Sequence, residues 1–209
     1  MINLARVCTQ SAIADPFCGS GTIVQEAIIL GFKRITGSDI SSKAVADTQK
    51  NIDWLYSRFR GFDRSIANIH IFQADVHAVS EKINHVSLDA IVTEPYLGPP
   101  LFKKPDEGTI KKILGNIAHL YRNAFSQFGK ILKKDGRVVI VFPCFELNGS
   151  IHFLEIEDKI KQCGFRIVPL IPEEIKNEIV TEYTARYSIL YGGKEQFVKR
   201  EIRSFEKIN

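Results

Sequence analysis

Ala14-Asp15-Pro16-Phe17-Cys18-Gly19-Ser20-Gly21-Thr22 joins a short apolar run to an amphipathic one, the pattern of a strand turning into a helix. Two glycines in such a turn let the backbone approach a ligand closely. The helix start beyond it offers unpaired N–H groups and a partial positive charge, a place suited to a small carboxylate or phosphate. Gly19-Ser20-Gly21 lacks the third glycine of the dinucleotide fingerprint and the Gly-Lys-Ser/Thr of a phosphate loop, so the turn alone does not choose a ligand.

Outward from this turn, short apolar runs alternate with amphipathic stretches, as in strands joined by crossover helices. The first strand ends near Ala14-Asp15, and a helix from about Ser20 turns Ile23, Ala27 and Leu30 inward before Gly31 closes it. Arg34 to Ser38 reads as the second strand. Ser41 is a natural N-cap for a helix reaching about Arg58, with Val45, Thr48, Ile52 and Leu55 on one face and Trp54 read as core. Asn68 to Gln73, Ser87 to Thr93 and Arg137 to Phe142 are the next strands, and Ile113, Ile117, Leu120, Ala124, Phe128 and Ile131 mark a long helix before the last of them. Phe153, Ile156 and Ile160 predict one more helix. Phe165 to Ile171 and Tyr183 to Tyr191 read as an antiparallel pair at one sheet edge, while the tail after Gly192-Gly193 fits strand or helix equally. The expected class is α/β: a mostly parallel, doubly wound sheet of about seven strands with an antiparallel terminal hairpin, in a single domain over 1–209.

Three acids follow three successive strands: Asp15, then Asp39 in Gly37-Ser38-Asp39-Ile40, then Asp75 in Gln73-Ala74-Asp75-Val76. Any one alone is ordinarily a cap or turn residue. Together they sit where a nucleoside would lie at the carboxyl ends of the strands, the second beside the ribose hydroxyls and the third placed to accept from an exocyclic amine.

Asp15-Pro16-Phe17-Cys18-Gly19-Ser20-Gly21-Thr22 resembles the cofactor loop of Rossmann-like S-adenosylmethionine-dependent methyltransferases, in particular the catalytic domains of THUMP-associated tRNA guanine-N2 methyltransferases. Met1-Ile2-Asn3-Leu4-Ala5-Arg6-Val7 is similar to the lead-in before that loop. The resemblance implies S-adenosylmethionine as cofactor, with Asp15, Gly19 and Gly21 around the methionine moiety, Asp39 on the ribose and Asp75 or its neighbour on adenine. Phe17, Thr22, Ile40 and Val76 belong to the same implied site.

The fourth strand runs into Ile91-Val92-Thr93-Glu94-Pro95-Tyr96-Leu97-Gly98-Pro99-Pro100. In the resembled enzymes that act on planar amines this place reads Asp, Asn or Ser, then Pro-Pro, then Tyr or Phe. A conjugated amine is a poor nucleophile, so acceptors for its hydrogens and a stacked ring orient its lone pair toward the methyl donor. Prolines hold the turn rigid. Here Glu94 stands for the Asp with one proline missing, or Thr93 takes the acidic position and Glu94 replaces a proline; both alignments keep Pro95-Tyr96. The resemblance makes Glu94, Pro95 and Tyr96 the catalytic candidates, Glu94 positioning the amine and Tyr96 stacking the base. The implied reaction is methyl transfer to an exocyclic amine of a nucleic-acid base, guanine N2 in tRNA first. The alternatives are a non-catalytic cofactor- or RNA-binding subunit, or an amino methyltransferase acting on DNA adenine or protein glutamine.

Composition narrows the class further. A net charge of +4 tolerates a polyanionic partner without demanding one. Lys103, Lys104, Lys111 and Lys112 flank the candidate loop, and Lys103 and Lys104 are suited to RNA phosphates; Lys194, Lys199, Arg200, Arg203 and Lys207 crowd the tail, where a solvated face is expected. The four cysteines, Cys8, Cys18, Cys144 and Cys163, form no CxxC pair, and the histidines show no metal-ligand spacing, so neither a metal site nor a disulfide framework is expected. No run approaches the roughly 18 apolar residues of a membrane helix, and a cytoplasmic protein is expected. Few residues precede the glycine turn, which implies that an RNA-binding module lies on a partner chain or on a longer protein.

Overall fold

The structure, a computed structural model, describes residues 1–59, 61, 63–172, 183–193 and 196–208. At its centre lies β1 (Ala12–Asp15), all four residues of which are buried. β2 (Arg34–Asp39) and β4 (Leu88–Thr93) flank it in parallel, β3 (Asn68–Gln73) lies outside β2, and β5 (Leu132–Leu147) lies outside β4. The crossovers are α1 (Thr22–Ile29), α2 (Ser42–Arg58) and α3 (Glu107–Ile131). Alternation along the strands divides the core in two. Ile13, Ala90, Val92 and Val139 face α1 and α2, whereas Ala12, Ala14, Ile91, Val138 and Ile140 face α3.

The predicted helices form, with shifted faces. Ser41 caps α2 by accepting from the Ala44 N–H at 3.3 Å, and Thr48, Ile52 and Leu55 are buried as read. Trp54, expected in the core, is 56% exposed and meets Phe59 edge-on, because it sits off the line those three residues define. In α1 the buried residues are Val24, Ala27 and Ile28; Leu30 is the C-cap, beyond the last helical turn, and is exposed. Tyr121 and Phe125 fill the core from α3, where Leu120 is only half-buried.

The larger departures lie after β4. β5 extends well past the Arg137–Phe142 run, and its far end folds back on β6 (Ser150–Phe153) through Asn148-Gly149, whose φ values of 52° and 79° make a two-residue hairpin turn. Phe153 therefore lies in a strand, and the helix expected around it is the short α4 (Glu157–Gln162). β7 (Phe165–Val168) and β8 (Ile189–Tyr191) do not pair with each other. Both pair antiparallel with β9 (Val198–Lys207), which inserts between β5 and β7, giving the main order β3-β2-β1-β4-β5-β9-β7. The antiparallel end is present, with the tail as its centre.

Buried ion pairs explain why the tail's pattern is ambiguous. Glu201 and Arg203 are almost wholly buried on one face of β9. Arg186 Nε donates to Glu201 at 3.0 Å, and Arg203 Nη1 donates to Glu157 at 2.5 Å. Charges buried in pairs occupy positions that an apolar alternation would otherwise mark. The basic tail is accordingly no solvated face: Arg203 and Lys207 are buried and Lys199 pairs with Glu146, while Lys194 lies outside the described residues. No helix among the described residues is long and apolar enough to cross a membrane.

Lys207 shows how β9 is locked. Its Nζ donates to the carbonyls of Gly129 at 2.6 Å and Leu132 at 2.8 Å, placing a positive charge on the free carbonyls where α3 ends. Lys207→Met keeps the stem and leaves both carbonyls unpaired. We expect it to cost about 2–3 kcal/mol, read as a lower urea midpoint at unchanged slope; an unaltered midpoint would show that water replaces the ammonium without loss.

Candidate functional site

Asp15 and Asp39 close β1 and β2, Asp75 follows β3, and Glu94 follows β4, so parallel pairing brings four carboxylates to one crevice at the carboxyl ends of adjacent strands. The glycine turn forms one wall. Gly21 caps α1 with a φ of 88°, and a Cβ there would come within 2.8 Å of Thr48 Cγ2. Glycine is thus required at this position twice over, by conformation and by space. Thr48 Oγ1 donates to the Gly19 carbonyl at 2.8 Å and Asn51 Nδ2 to the Ser20 carbonyl at 2.8 Å, so α2 clamps the turn from outside. At Gly19 itself, with a φ of 53°, a Cβ would meet nothing within 4 Å, which leaves the turn open toward a ligand.

Each acid is placed differently. Asp39 accepts from the Gly19 N–H at 3.0 Å through one oxygen and from the Ser41 N–H at 2.9 Å through the other, so each oxygen keeps a lone pair for a further donor. Asp75 caps the 3₁₀ turn Val76–Glu81, accepting from His77 N at 2.9 Å and pairing with His77 Nδ1 at 2.6 Å through Oδ1; the backbone bond foremost lowers its pKa and keeps it ionised. Asp15 is buried beneath the others, with Thr93 Oγ1 donating to it at 2.6 Å and Phe17 N at 3.1 Å. Burial pushes its pKa up to about 7 against those two hydrogen bonds, with the negative neighbours Asp39 and Glu94 adding to the rise.

A raised carboxyl pKa has a definite sign in stability. Above its ordinary range the unfolded Asp15 has lost its proton while the folded one keeps it, so stability falls as pH rises toward about 7. Asp15→Asn removes this dependence. Relative to wild type, its urea-unfolding free energy should gain about 2–3 kcal/mol on going from about pH 5 to about pH 8. A difference that stays constant with pH would mean that Asp15 titrates normally.

Two cavities adjoin at this crevice. One, about 460 Å³, is lined by Asp15, Cys18, Gly19, Ser20, Thr22 and Glu94 among others, with Met1 and Ile2 of the amino-terminal segment on its wall. The second, about 420 Å³, is lined by Phe17, Asp39, Ile40, Asp75, Val76, Glu94, Pro95 and Tyr96, together with His77. Both lie in the size range of small-molecule sites, and Glu94 lines both. Of the predicted site residues only Gly21 lines neither; it shapes the turn. A third hollow, about 500 Å³, opens at the amino ends of the strands, by Ala12, Arg34 and Asn68, away from the acids.

The loop's two possible alignments separate in the structure. Thr93 is fully buried and bonded to Asp15, while Glu94 reaches the cavities. The residue that sequence reasoning missed is Arg200 of β9, counted there among solvated charges. Its guanidinium grips the Glu94 carboxylate, Nε to Oε1 at 3.1 Å, Nε to Oε2 at 3.0 Å and Nη2 to Oε1 at 3.0 Å. Tyr96 is 56% exposed, its ring accessible to a planar partner. Cys18 is buried beside Thr48, with its pKa pushed up to about 11 mainly by burial, which makes it an inert thiol.

Fold and site together define the class of Rossmann-like methyltransferase domains, and comparison with known proteins bears this out. TrmN from Thermus thermophilus superposes over 99% of this chain and 47% of its own, with a TM-score of 0.62 at 17% identity, a likeness of fold. Residues 1–147 match the family described as RMKL-like, methyltransferase domain, and the chain belongs to that family. Two curated relatives are the tRNA (guanine(10)-N2)-dimethyltransferase of Methanocaldococcus jannaschii, 32% identical over 166 residues, and a probable tRNA (guanine(10)-N2)-dimethyltransferase of Methanothermococcus thermolithotrophicus, 31% identical over 157. The matches cover 77% and 75% of this chain, 44% of the first relative and 84% of the second.

Proposed function

We propose that the chain transfers a methyl group from S-adenosylmethionine to an exocyclic amine of a nucleic-acid base, guanine N2 of tRNA, in the cytoplasm. The observation that carries this reading is the convergence of Asp15, Asp39, Asp75 and Glu94 on two adjoining cavities beside an open glycine turn. The donor set fits the cofactor: Asp39 keeps lone pairs for ribose hydroxyls, Oδ2 of Asp75 is left to accept from the adenine amine, and Asp15 faces the cavity suited to the methionine ammonium. Ile40 and Val76 are apolar walls of the adenosine cavity, and Phe17 lines it as well. The names of the two curated relatives support tRNA as substrate.

S-adenosylmethionine, when bound, supplies an electrophilic methyl on a sulfonium. The chain's own part is positioning. Glu94 stands between the cavities and accepts a hydrogen of the amine, Pro95 fixes the turn, and Tyr96 stacks on the base, so that the amine lone pair points into the cofactor cavity. A base presented this way comes from a loop or is flipped from a helix. Phe102 is 93% exposed beside Lys103 and Lys104, which offers a neighbouring base a stacking ring and the phosphates two cations. A further RNA-binding module, on a partner or a longer chain, completes this reading.

The test is transfer of labelled methyl from S-adenosylmethionine to tRNA transcripts, with the modified nucleoside identified by mass. N2-methylguanosine or its dimethyl form is the expected product. Calorimetric binding of cofactor with methylation of a different acceptor would redirect the substrate, and no cofactor binding by the folded chain would overturn the reading.

A further inference from the structure

The Glu94–Arg200 pair spans 106 residues of sequence and joins the candidate catalytic loop to a strand that the cofactor-loop motif says nothing about. Arg200 is the third residue of β9, opposite Pro143 of β5 on one side and Tyr191 of β8 on the other. Strand pairing on both sides fixes its Cα far better than a loop would. Glu94 has the opposite problem. It lies in a loop and carries one methylene more than the aspartate that the motif leads one to expect, hence one more torsion to freeze. A planar guanidinium that donates to both carboxylate oxygens removes that freedom, which a point-charge ammonium would not do.

The geometry also leaves room for substrate. The three contacts engage Oε1 twice and Oε2 once, and a carboxylate offers about four lone-pair sites. A site on Oε2 is left for one amine hydrogen. We infer that Arg200 is a positioning residue: it holds Glu94 between the two cavities with one acceptor site turned to the amine, and so makes the Glu-Pro-Tyr form of the loop competent for methyl transfer. This rests on the function proposed above and deepens it. It also assigns a part in catalysis to the antiparallel end of the sheet.

Steady-state methylation by the full chain carrying Arg200→Met or Arg200→Lys tests the inference, with calorimetric cofactor binding measured alongside. Arg200→Met should lower kcat about 100-fold, the scale expected when a positioned group is displaced by about 1 Å, with S-adenosylmethionine affinity within about threefold of wild type. Arg200→Lys restores charge without the fork and should recover only a small part of the lost rate. Added guanidinium ion at low millimolar concentration should raise the Arg200→Met rate where sodium chloride of equal ionic strength does not, which a merely structural role would not produce. A kcat for Arg200→Met within about threefold of wild type overturns the assignment. So does a parallel loss of cofactor binding and folding, or complete rescue by lysine. A wild-type chain that binds cofactor but methylates no nucleic acid overturns the proposed function instead, and is recognised as such before any variant is made.

Discussion

Asp39→Ala raises the dissociation constant for S-adenosylmethionine at least about 100-fold while the chain stays folded. Two losses add up. The carboxylate no longer accepts from the ribose hydroxyls, and charge-assisted hydrogen bonds of that kind contribute about 1.5–3 kcal/mol each, against about 1.4 kcal/mol per tenfold in affinity. The Gly19 and Ser41 N–H groups also lose their acceptor, so the glycine turn is no longer pinned to the end of β2. The core is untouched, because Asp39 is only partly buried at the strand end. Asp39→Asn, which keeps one oxygen, should fall between the two. Calorimetry decides: an Asp39→Ala affinity within threefold of wild type would remove the ribose from this position.

Glu94→Gln should lower kcat about 100- to 1000-fold with cofactor affinity nearly unchanged. The amide is isosteric, but its NH2 faces the donors of Arg200 in one rotamer and the substrate amine in the other, so it cannot accept from both. The variant separates chemistry from binding. A fall in kcat and in kcat/KM by the same factor marks an interaction made in the transition state, whereas a rise in KM alone would make Glu94 a binding residue. The two substitutions differ in reach, since Asp39 lines only the second cavity while Glu94 lines both.

The half of the fold that carries the candidate cofactor crevice was legible because its signals are local. A strand, a glycine turn and an amphipathic helix follow one another from Ala12 to Ile29, and acids close the strands in sequence order, so parallel pairing of neighbours gathers them without further information. β9 was not legible, for two physical reasons. Its pairing with β5 is set by no turn, and its buried face holds Glu201 and Arg203, whose partners Arg186 and Glu157 come from other segments. Arg200 was hidden in the same way. Its role depends on what it reaches, and the reach crosses the sheet. One sign was present in the loop itself: a glutamate where a shorter acid is expected calls for an anchor, but arginines are spread along the whole sequence and none is marked as its partner. Asn148-Gly149 was likewise a hairpin signal that the apolar spacing of Phe153, Ile156 and Ile160 outweighed.

The insertion of β9 between β5 and β7 has a consequence for how the chain comes into being. During synthesis both neighbours emerge before the strand that separates them, and β5 then presents a long, apolar, unpaired edge that could recruit another chain. Closing it requires contacts between segments far apart along the chain, which are slow to form. Arg200 arrives with that same strand. On the proposed function, the candidate cofactor crevice can form before β9 pairs, whereas the loop at Glu94 gains its Arg200 anchor only afterwards, so a molecule without β9 would hold the methyl donor without being equipped to spend it.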